Sequence, residues 1–383
     1  MRVVLISSVL PETHYSQCLA KALHKTNDFE LIIYADRSPE NLEIEHIGHV
    51  KAIWRKSIFY VLDILNEIGS DRPDVVHLQH EFNMYGGLGS AVFFPLLLFL
   101  LRTRGYKVVV TVHAVVEKKI ITKSFLSLFS KSKLMVPFFV RMAFSFIYFS
   151  IGRLASHVIV HTTSLKTSYI TDYGIKPGKI SVIPIGVEEI KAPTVTKENF
   201  FLYFGYITKR KGLQYVIEGF AKFIENSSNK NTRLVLAGGC IPGQEFALYE
   251  INQLIENIEL QDYVQTTGFI SRSELDDLFL KAKAVVIPAE ITIAGSNPLS
   301  QALSHSKCIL ASKVGCLAEE IDHGINGFLV NNNAWEKAFS FVITQPEQVL
   351  LIEKNAYKKA QDRTWEKVKN MHISVFQKTA NNT

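Results

Sequence analysis

Short apolar runs, rich in β-branched residues, alternate in the first half of the chain with longer segments of mixed polarity. The runs predict buried parallel strands at Arg2–Val9, FELIIYA, Asp74–His80, Lys107–Val112, HVIVHTT and KISVIPIGV, which ends at Val187. A helix is predicted between the first two, at Gln17–Lys25. Strands that alternate with helices predict an α/β fold with a doubly wound parallel sheet, whose ligands bind beyond the carboxyl ends of the strands.

The same alternation begins again after a linker near Glu188–Glu198. Four further apolar runs predict strands: NFFLYFGYI, TRLVLAGG, YVQTTGFI and KAVVIP. The chain therefore predicts two Rossmann-like domains, residues 1–187 and 188–365.

The segment Val285–Val330 predicts a strand, a polar loop, a helix and two more strands. Pro298 suits the first helical position, where its missing N–H has no helical partner, and Ser296 or Asn297 suits the N-cap. Free amides and the helix dipole at such a start favour an anion. An ordinary capped helix in an α/β domain explains the same pattern equally well.

Composition fits a globular protein of 383 residues, with 47% hydrophobic and 20% charged residues. The four cysteines have neither metal nor redox spacing, which favours small buried side chains in a reducing compartment. No group of His, Cys, Asp and Glu has metal-ligand spacing, so no metal is expected. The first residues run directly into a strand without a signal-peptide pattern, and a cytoplasmic protein is expected.

The net charge of +6 lies almost entirely in the first half. Residues Met1–Val187 contain 21 Lys and Arg against 14 Asp and Glu, and Arg102–Arg153 contains ten basic residues against one acid, Glu117. This excess predicts an anionic partner. No nucleic-acid-binding motif accompanies it, so nucleic acid is not expected.

Two segments of the first half are unusually apolar, Leu88–Leu101 and Ser124–Ile151. The first is shorter than the ~20 residues that cross a bilayer, and the second is broken by Pro137 and Arg141. A large core helix and an interfacial helix are both compatible with the second segment. Flanking lysines favour a peripheral position on an anionic membrane, at the inner face of the cell membrane: Lys118, Lys119, Lys123, Lys131 and Lys133.

Several motifs together resemble the retaining glycosyltransferases of family four, which have the GT-B fold. The donor-binding frame of that family is matched by Lys307-Cys308-Ile309, Ala311-Ser312, Val314-Gly315, Glu319-Glu320-Ile321 and His323–Val330. Further matches are Thr111-Val112-His113, Phe204-Gly205-Tyr206, Lys211-Gly212-Leu213, Gly238-Gly239 and Thr267–Ile270. The resemblance covers almost the whole chain.

The resemblance implies two Rossmann-like domains that face a central cleft. The acceptor is expected on the domain of residues 1–187 and a nucleotide-diphosphate sugar on that of residues 188–365. A C-terminal helix, residues 366–383, is expected to cross back to the first domain.

The chain departs from the family pattern at its two glutamates. On the family frame these positions fall at Ile293 and Gln301, while Glu290 lies nearby at a different spacing. The loop is closer to that of a mannosyltransferase-like branch, in which Ser-Gly and backbone amides replace the first carboxylate. The arginine that usually follows the glycine is Tyr206 here, and Arg210 or Lys209 is expected to compensate.

His80 and Glu81 follow a predicted strand at its carboxyl end, where an open sheet binds its ligands, and are expected to contact the acceptor. The other site residues follow from the resemblance: His113 is expected to be catalytic, and His14, in the loop after the first strand, to contact the acceptor. Donor contacts are expected from Gly205, Arg210, Lys211, Gly238, Gly268, Phe269, Ser296, Asn297, Pro298, Leu299 and Gln301.

The implied activity is retaining, metal-independent hexosyl transfer without a cofactor. The donor would be GDP-mannose or a UDP-hexose, and the acceptor a glycan or lipid-linked molecule in cell-envelope polysaccharide or glycoconjugate synthesis. Three alternatives remain: a sugar-nucleotide 2-epimerase, a non-catalytic nucleotide-sugar-binding subunit, and a membrane scaffold with a vestigial site.

Overall fold

A computed structural model describes residues 1–8, 15–26, 29–37, 47–82, 84–129, 136–188, 191–192, 196–227, 230–241 and 243–381. Two predictions fall outside these ranges: His14 as an acceptor contact, and Lys131 and Lys133 as flanking cations.

Each half of the chain forms one parallel sheet. The first sheet has seven strands in the order β3-β2-β1-β4-β5-β6-β7: β1 Arg2–Ile6, β2 Glu30–Asp36, β3 His49–Trp54, β4 Val75–His80, β5 Val108–Val112, β6 His157–Val160 and β7 Ile180–Val182. The second has six in the order β10-β9-β8-β11-β12-β13: β8 Phe200–Phe204, β9 Arg233–Ala237, β10 Val264–Gly268, β11 Ala284–Ile287, β12 Ile309–Ser312 and β13 Phe328–Val330. The predicted α/β architecture of two Rossmann-like units is confirmed.

Helices connect the strands and cover both faces of each sheet. Those of the first half are α1 Tyr15–His24, α2 Tyr60–Asp71, α3 Leu88–Ala91, α4 Phe94–Thr103, α5 Lys123–Ser127, α6 Pro137–Leu154 and α7 Thr163–Tyr173. Those of the second are α8 Leu213–Asn226, α9 Glu245–Asn257, α10 Arg272–Lys281, α11 Asn297–Ser304, α12 Gly315–Glu320, α13 Trp335–Thr344, α14 Pro346–Gln361 and α15 Trp365–Asn381.

The structure differs from the sequence-based expectation at two prolines and one pair of elements. Pro137 begins α6 instead of interrupting an apolar helix, and Pro298 occupies the second helical position after the Ser296 N-cap. Proline is tolerated in the first turn because the N–H it lacks has no helical acceptor there. Strand β3 and helix α2 were not predicted.

Helix α15 returns to the first domain, as predicted. The chain crosses beside Val187, whose N–H donates to Arg363 O at 2.8 Å and whose carbonyl accepts from Trp365 N at 3.1 Å. Helix α15 then packs against α1, where Tyr15 Oη and His372 Nε2 are 2.9 Å apart. This crossing ties the second half of the chain to the first sheet.

Two direct contacts join the walls of the cleft between the sheets. Ala114 forms an antiparallel bridge with Ala294, and Val115 N donates to Ile293 O at 2.8 Å. On the other side of the cleft, the Glu319 carboxylate accepts from the amides of Thr163 and Ser164 at 2.6 and 2.9 Å. These amides open α7, so the carboxylate also complements the helix dipole.

Candidate active site

A cavity of about 480 Å³ opens between the two domains. It lies beyond the carboxyl ends of β8, β9 and β11, where an open parallel sheet binds its ligands. Among the described residues, the second domain supplies nearly all of its wall, and Glu81 is the one residue of the first domain that lines it.

Two glycines bring backbone close together at one end of the cavity. Gly205 follows β8 with φ +136° and Gly238 follows β9 with φ +143°. A Cβ on Gly238 would lie 2.2 Å from the carbonyl oxygen of Gly205. Only glycine permits this approach, and both glycines line the cavity. Gly268, which bridges to Gly238, also has positive φ but faces open space.

Three successive cations, Lys209, Arg210 and Lys211, form a 3-10 turn that Gly212 ends with φ +62°. Lys209 forms an ion pair with Glu250 at 2.9 Å, whereas Arg210 and Lys211 line the cavity. Neither of these two forms an ion pair with any residue that the structure describes. Arg210, and not Lys209, therefore accompanies Lys211 at the cavity.

Burial makes both cavity cations costly to keep charged without an anion. Burial, together with the neighbouring charge of Arg210, lowers the pKa of Lys211 to about 7. Burial also lowers the pKa of Arg210, against the opposing influence of Tyr203 and Glu81. Two desolvated cations that lack an ion pair among the described residues are the main elements of a diphosphate site.

Glu290 supports this turn and does not line the cavity. Its N–H donates to Arg210 O at 2.9 Å, and its carboxylate accepts from Gln214 Nε2 at 2.6 Å. The carboxylate nearest in sequence to the family's first glutamate thus has a different role.

The start of α11 borders the cavity through Ser296, Asn297 and Pro298. Ser296 is the N-cap, and its Oγ accepts from Leu299 N at 3.3 Å. Leu299 and Gln301 are 2% and 3% exposed and do not line the cavity. Their predicted donor contacts do not fit this placement, because both side chains point into the domain and the Leu299 amide serves the cap.

Two aromatic rings stand at the mouth of the cavity. Tyr206 and Phe269 are exposed, and their ring centroids lie 5.9 Å apart at an interplanar angle of 75°. Such rings can stack on a nucleobase. Phe269 was predicted, whereas Tyr206 had been considered only as a missing arginine.

His113 lies at the end of β5, beside the cavity but not in its wall. Its Nε2 is 2.8 Å from Gln79 Oε1 and its Nδ1 is 3.0 Å from His161 Nε2. His161 Nδ1 in turn donates to Ile183 O at 3.0 Å. Tyr15 packs edge-on against the His113 ring, with the centroids 4.9 Å apart.

The carbonyl of Ile183 determines the proton positions in this chain of side chains. His161 must place its proton on Nδ1, and burial lowers its pKa to about 4, so its Nε2 accepts from His113 Nδ1–H. His113 Nε2 then faces the Gln79 side-chain amide in one of two ways. A second proton on the ring lets Nε2 donate to Gln79 Oε1, whereas a flipped amide lets Nε2 accept from Gln79 Nε2–H. In both cases its two ring nitrogens are engaged by protein.

The two other predicted acceptor contacts that the structure describes, His80 and Glu81, lie in different surroundings. His80 is 2% exposed, and its ring packs 4.6 Å from that of Phe94. Burial lowers its pKa to about 3, so its predicted contact with the acceptor does not fit the structure. The Glu81 side chain is open to the cavity but surrounded by protein on other sides, which raises its pKa despite the attraction of Arg210.

Sequence reasoning missed the residues that form the far wall. Thr292 Oγ1 accepts from Cys316 N at 3.0 Å, and a Cβ on Gly315 would lie 1.9 Å from the same oxygen. Arg272 also lines the cavity, where it pairs with Glu188 and Asp276. Gly315, in the Val314-Gly315 match, was the signal that the sequence offered, whereas the contact with Thr292 became visible only in three dimensions. Within the described residues, no three side chains of His, Cys, Asp or Glu come together as a metal site.

Two family patterns cover most of the chain. The family described as Glycosyltransferase Family 4 matches residues 14–189, and the family described as Glycosyl transferases group 1 matches residues 187–359. They meet where the chain passes from the first sheet to the second.

Individual proteins are similar at lower identity. The D-inositol 3-phosphate glycosyltransferase of Pseudarthrobacter chlorophenolicus is 26% identical over 237 residues, which are 58% of this chain and 56% of the relative. The O-antigen chain mannosyltransferase RfbU of Salmonella typhimurium is 26% identical over 216 residues, which are 55% of this chain and 57% of the relative. The chain thus spans about half the length of these curated relatives.

Among solved structures, HepE of Anabaena in complex with UDP-glucose superposes with a TM-score of 0.76 at 17% identity. The match covers 99% of this chain and 100% of that one. It shows that both domains share the GT-B arrangement. The chain belongs to the glycosyltransferases, with a Glycosyltransferase Family 4 domain followed by a Glycosyl transferases group 1 domain on the GT-B fold.

Proposed function

We propose that the protein transfers a hexosyl group from a nucleotide-diphosphate sugar to a glycan or lipid-linked acceptor, with retention of configuration. The observation that carries the proposal is the pair of desolvated cations Arg210 and Lys211, which form no ion pair among the described residues and line the cavity together with Gly205 and Gly238. The diphosphate would lie between these cations and the start of α11, with the base towards Tyr206 and Phe269. The sugar would then face Glu81 and the far wall at Cys316.

The chemistry asks chiefly for stabilisation of the leaving diphosphate. Preorganised cations and helix-terminal amides supply it without reorganisation at the moment of reaction. Metal is unnecessary in this scheme because Arg210 and Lys211 neutralise the leaving group. A protein nucleophile is also unnecessary, since the departing phosphate can assist attack from its own face.

Glu81 lines the cavity with a carboxylate that faces the cations from the first domain. This position suits a hydrogen bond from an acceptor hydroxyl. The predicted role of His113 requires its ring edge or its backbone to approach the sugar, because both ring nitrogens are engaged.

A non-catalytic nucleotide-sugar-binding subunit is the second candidate. It is favoured by Ile293, which lines the cavity at the position of the family's first glutamate, and by Gln301, which is buried at the position of the second. A 2-epimerase has less support, because it would need catalytic carboxylates, and among the described residues Glu81 is the one acid that lines the cavity.

Thermal-shift titration with UDP- and GDP-sugars tests the proposal. The Salmonella relative named above is a mannosyltransferase, and the Anabaena structure contains UDP-glucose, so GDP-mannose and UDP-glucose are the first donors to try. We expect stabilisation by one donor class and its turnover with a lipid-linked or glycan acceptor. Binding without turnover would favour the subunit, isomerisation of the donor alone would favour the epimerase, and no binding would reject the site.

We also propose, on the basis of the basic segment Arg102–Arg153, that the protein works at an anionic membrane surface on the cytoplasmic side in cell-envelope synthesis. The O-antigen name of the Salmonella relative is consistent with such a pathway. Within the described residues, no helix combines the length and apolarity that crossing a bilayer demands.

A further inference from the structure

Helix α6 carries two apolar faces, of which one is buried. Ile147, Tyr148 and Ile151 pack into the core of the first sheet. The opposite face exposes Phe138, Phe139, Met142, Phe146 and Phe149, which are between 55% and 66% exposed. Their spacing places all five within about a third of the helix circumference. A helix that belongs only to the core would show polar side chains there.

Two neighbouring helices extend this surface. Helix α4 packs between α2 and α6, and it exposes Phe93, Leu96 and Phe99 along one side. The start of α2 adds Phe59 and Leu62. We call the exposed side chains of α2, α4 and α6 the apolar plateau. A contiguous apolar surface on three adjoining helices is characteristic of an interaction site.

The plateau reaches the edge of the sheet that holds the cavity. Each of the three helices runs antiparallel to the strands it connects, so its N-terminus lies at their carboxyl ends. Phe59, Phe93 and Phe138 are therefore at the cleft edge. From there a buried cluster that includes Ile121 and Phe125 continues to Ile291 and Ile293, which line the cavity.

The charge around the plateau selects its partner. Neither α4 nor α6 contains an acidic residue. The three acids of α2 are paired with cations, Asp63 with Arg55, and Glu67 and Asp71 with Lys51. Arg141 on α6 donates to Ile121 O at 3.0 and 2.7 Å, which fixes the Lys118–Ser127 segment beside the aromatic face. The exposed Lys123 belongs to that segment. Aromatic side chains bordered by cations match the interface of an anionic bilayer, where rings enter the headgroup region and cations meet lipid phosphates.

We propose that the apolar plateau inserts into the interfacial layer of an anionic lipid bilayer and sets the cavity mouth against it. This docking implies that the acceptor is an amphiphile whose polar head enters the cleft from the membrane. That consequence rests on the proposed function. The docking differs from attachment through basic residues alone, because insertion of α2, α4 and α6 side chains persists when salt screens charge.

Vesicle flotation tests the insertion with the full-length protein. Phosphatidylcholine vesicles with and without phosphatidylglycerol are compared at low and high salt. We expect the wild type to float with anionic vesicles and to stay partly bound at high salt. Phe138→Ser/Phe139→Ser should lower the partition coefficient roughly tenfold or more at both salt levels, since each phenyl ring contributes apolar transfer. Tyr249→Ser, at a comparably exposed aromatic residue of α9, is the matched control and should float like the wild type.

A spectroscopic variant gives a positive signal that does not depend on loss of binding. Phe139→Trp should show a blue-shifted emission with anionic vesicles and quenching by brominated lipids, whereas Tyr249→Trp should show neither. Phe99→Trp asks whether α4 enters together with α6. An unchanged emission of both plateau variants in the presence of vesicles would overturn the proposal.

The same experiments distinguish a bilayer from a second copy of the chain as the occupant of the apolar plateau, and failure of the docking from failure of the proposed function. A wild type that ignores vesicles but forms dimers, which Phe138→Ser/Phe139→Ser dissociates, would assign the plateau to a second copy of the chain and reject the bilayer. Donor binding by thermal shift is measured in the same samples. Donor binding without flotation rejects the docking alone, and flotation without donor binding rejects the proposed function alone.

Discussion

The two walls of the cleft contain polar groups in opposite states. On the second domain, Arg210 and Lys211 face the cavity without an ion pair among the described residues, and Gly205 and Gly238 line the cavity with them. On the first domain, His113 and His161 are joined to each other and to neighbouring protein groups. The wall formed by the second domain is arranged for an anionic ligand. The polar groups in the wall formed by the first domain are largely hydrogen-bonded to one another. Binding energy should therefore come mainly from the second domain.

The close approach of Gly238 to Gly205 should be the most sensitive feature of the donor wall. Gly238→Ala places a Cβ 2.2 Å from a backbone oxygen at a φ of +143°, so we expect a loss of about 2–5 kcal/mol in unfolding free energy and loss of nucleotide binding. Gly268→Ala is the matched control, with positive φ but open space, and should cost about 1 kcal/mol. Denaturant melts of both variants measure the difference, and equal losses would show that conformation, not the close approach, matters.

The unpaired cations should dominate donor affinity. Lys211→Ala should raise the donor Kd roughly ten- to a hundredfold with the fold intact, because a charge-assisted bond to phosphate contributes about 1.5–3 kcal/mol. Lys209→Ala removes an adjacent cation that is paired with Glu250 and should leave the Kd nearly unchanged. Calorimetry on the two variants decides, and similar effects would mean that only net charge matters.

A pH titration of donor affinity tests the protonation state of the Lys211 amine, independently of where the side chain lies. Its pKa of about 7 in the free protein means that the amine is charged below this pH and must take up a proton on binding above it. Donor affinity should thus be flat below about pH 7 and fall by up to ~10-fold per pH unit above it, until the raised pKa of the complex is reached. A sugar nucleotide is the right probe, because its diphosphate diester keeps a constant charge, one negative charge on each phosphate, over this pH range.

Lys211→Arg is the control for that titration. Arginine stays protonated, so the variant should bind with little pH dependence between about pH 6 and about pH 9. A wild type with the same flat profile would show that Lys211 is charged throughout, and that burial costs it less than the structure indicates.

The contrast between the walls also shows what the sequence could provide. Alternating apolar runs predicted most of the strands of both sheets, and the glycines and Lys211 of the donor wall could be placed because backbone approach and a cation leave local patterns. Strand β3 was missed because its burial is only partial, and its alternation is weak. His80, Leu299 and Gln301 were placed by motif position, which does not say towards which side of a strand or helix a side chain points.

The satisfied histidines could not have been predicted at all from neighbouring residues. The four residues of this hydrogen-bonded chain come from four strands. Gln79 lies on β4, and His113, His161 and Ile183 follow the ends of β5, β6 and β7. Their contacts depend on strand order, which one sequence does not reveal. The apolar plateau is similar: each helix alone could be a core helix, and only the packing of α4 between α2 and α6 shows which sides stay exposed.

Changes in the wall formed by the first domain should affect kcat more than the Kd of the nucleotide. His113→Ala should lower kcat about tenfold while the Kd of the bare nucleotide stays within about threefold, because the ring lies outside the wall of the cavity. His161→Ala should reproduce part of this loss, since His161 orients His113 Nδ1. Steady-state kinetics together with calorimetry separate the two quantities. Nucleotide binding lost in folded His113→Ala would place the histidine at the donor instead.

The smallest expected effect concerns the aromatic mouth. Phe269 and Tyr206 stand with their rings exposed at the base end of the proposed donor site, so Phe269→Ala should weaken nucleotide binding by about 1 kcal/mol, roughly fivefold. The loss should appear with a nucleoside diphosphate and vanish with inorganic pyrophosphate, which has no base to stack. Tyr249→Ala removes a ring of similar exposure from α9 and should change neither affinity. An equal loss for pyrophosphate would mean that Phe269 shapes the phosphate site through Gly239, whose Cα its ring closely approaches, and that the base lies elsewhere.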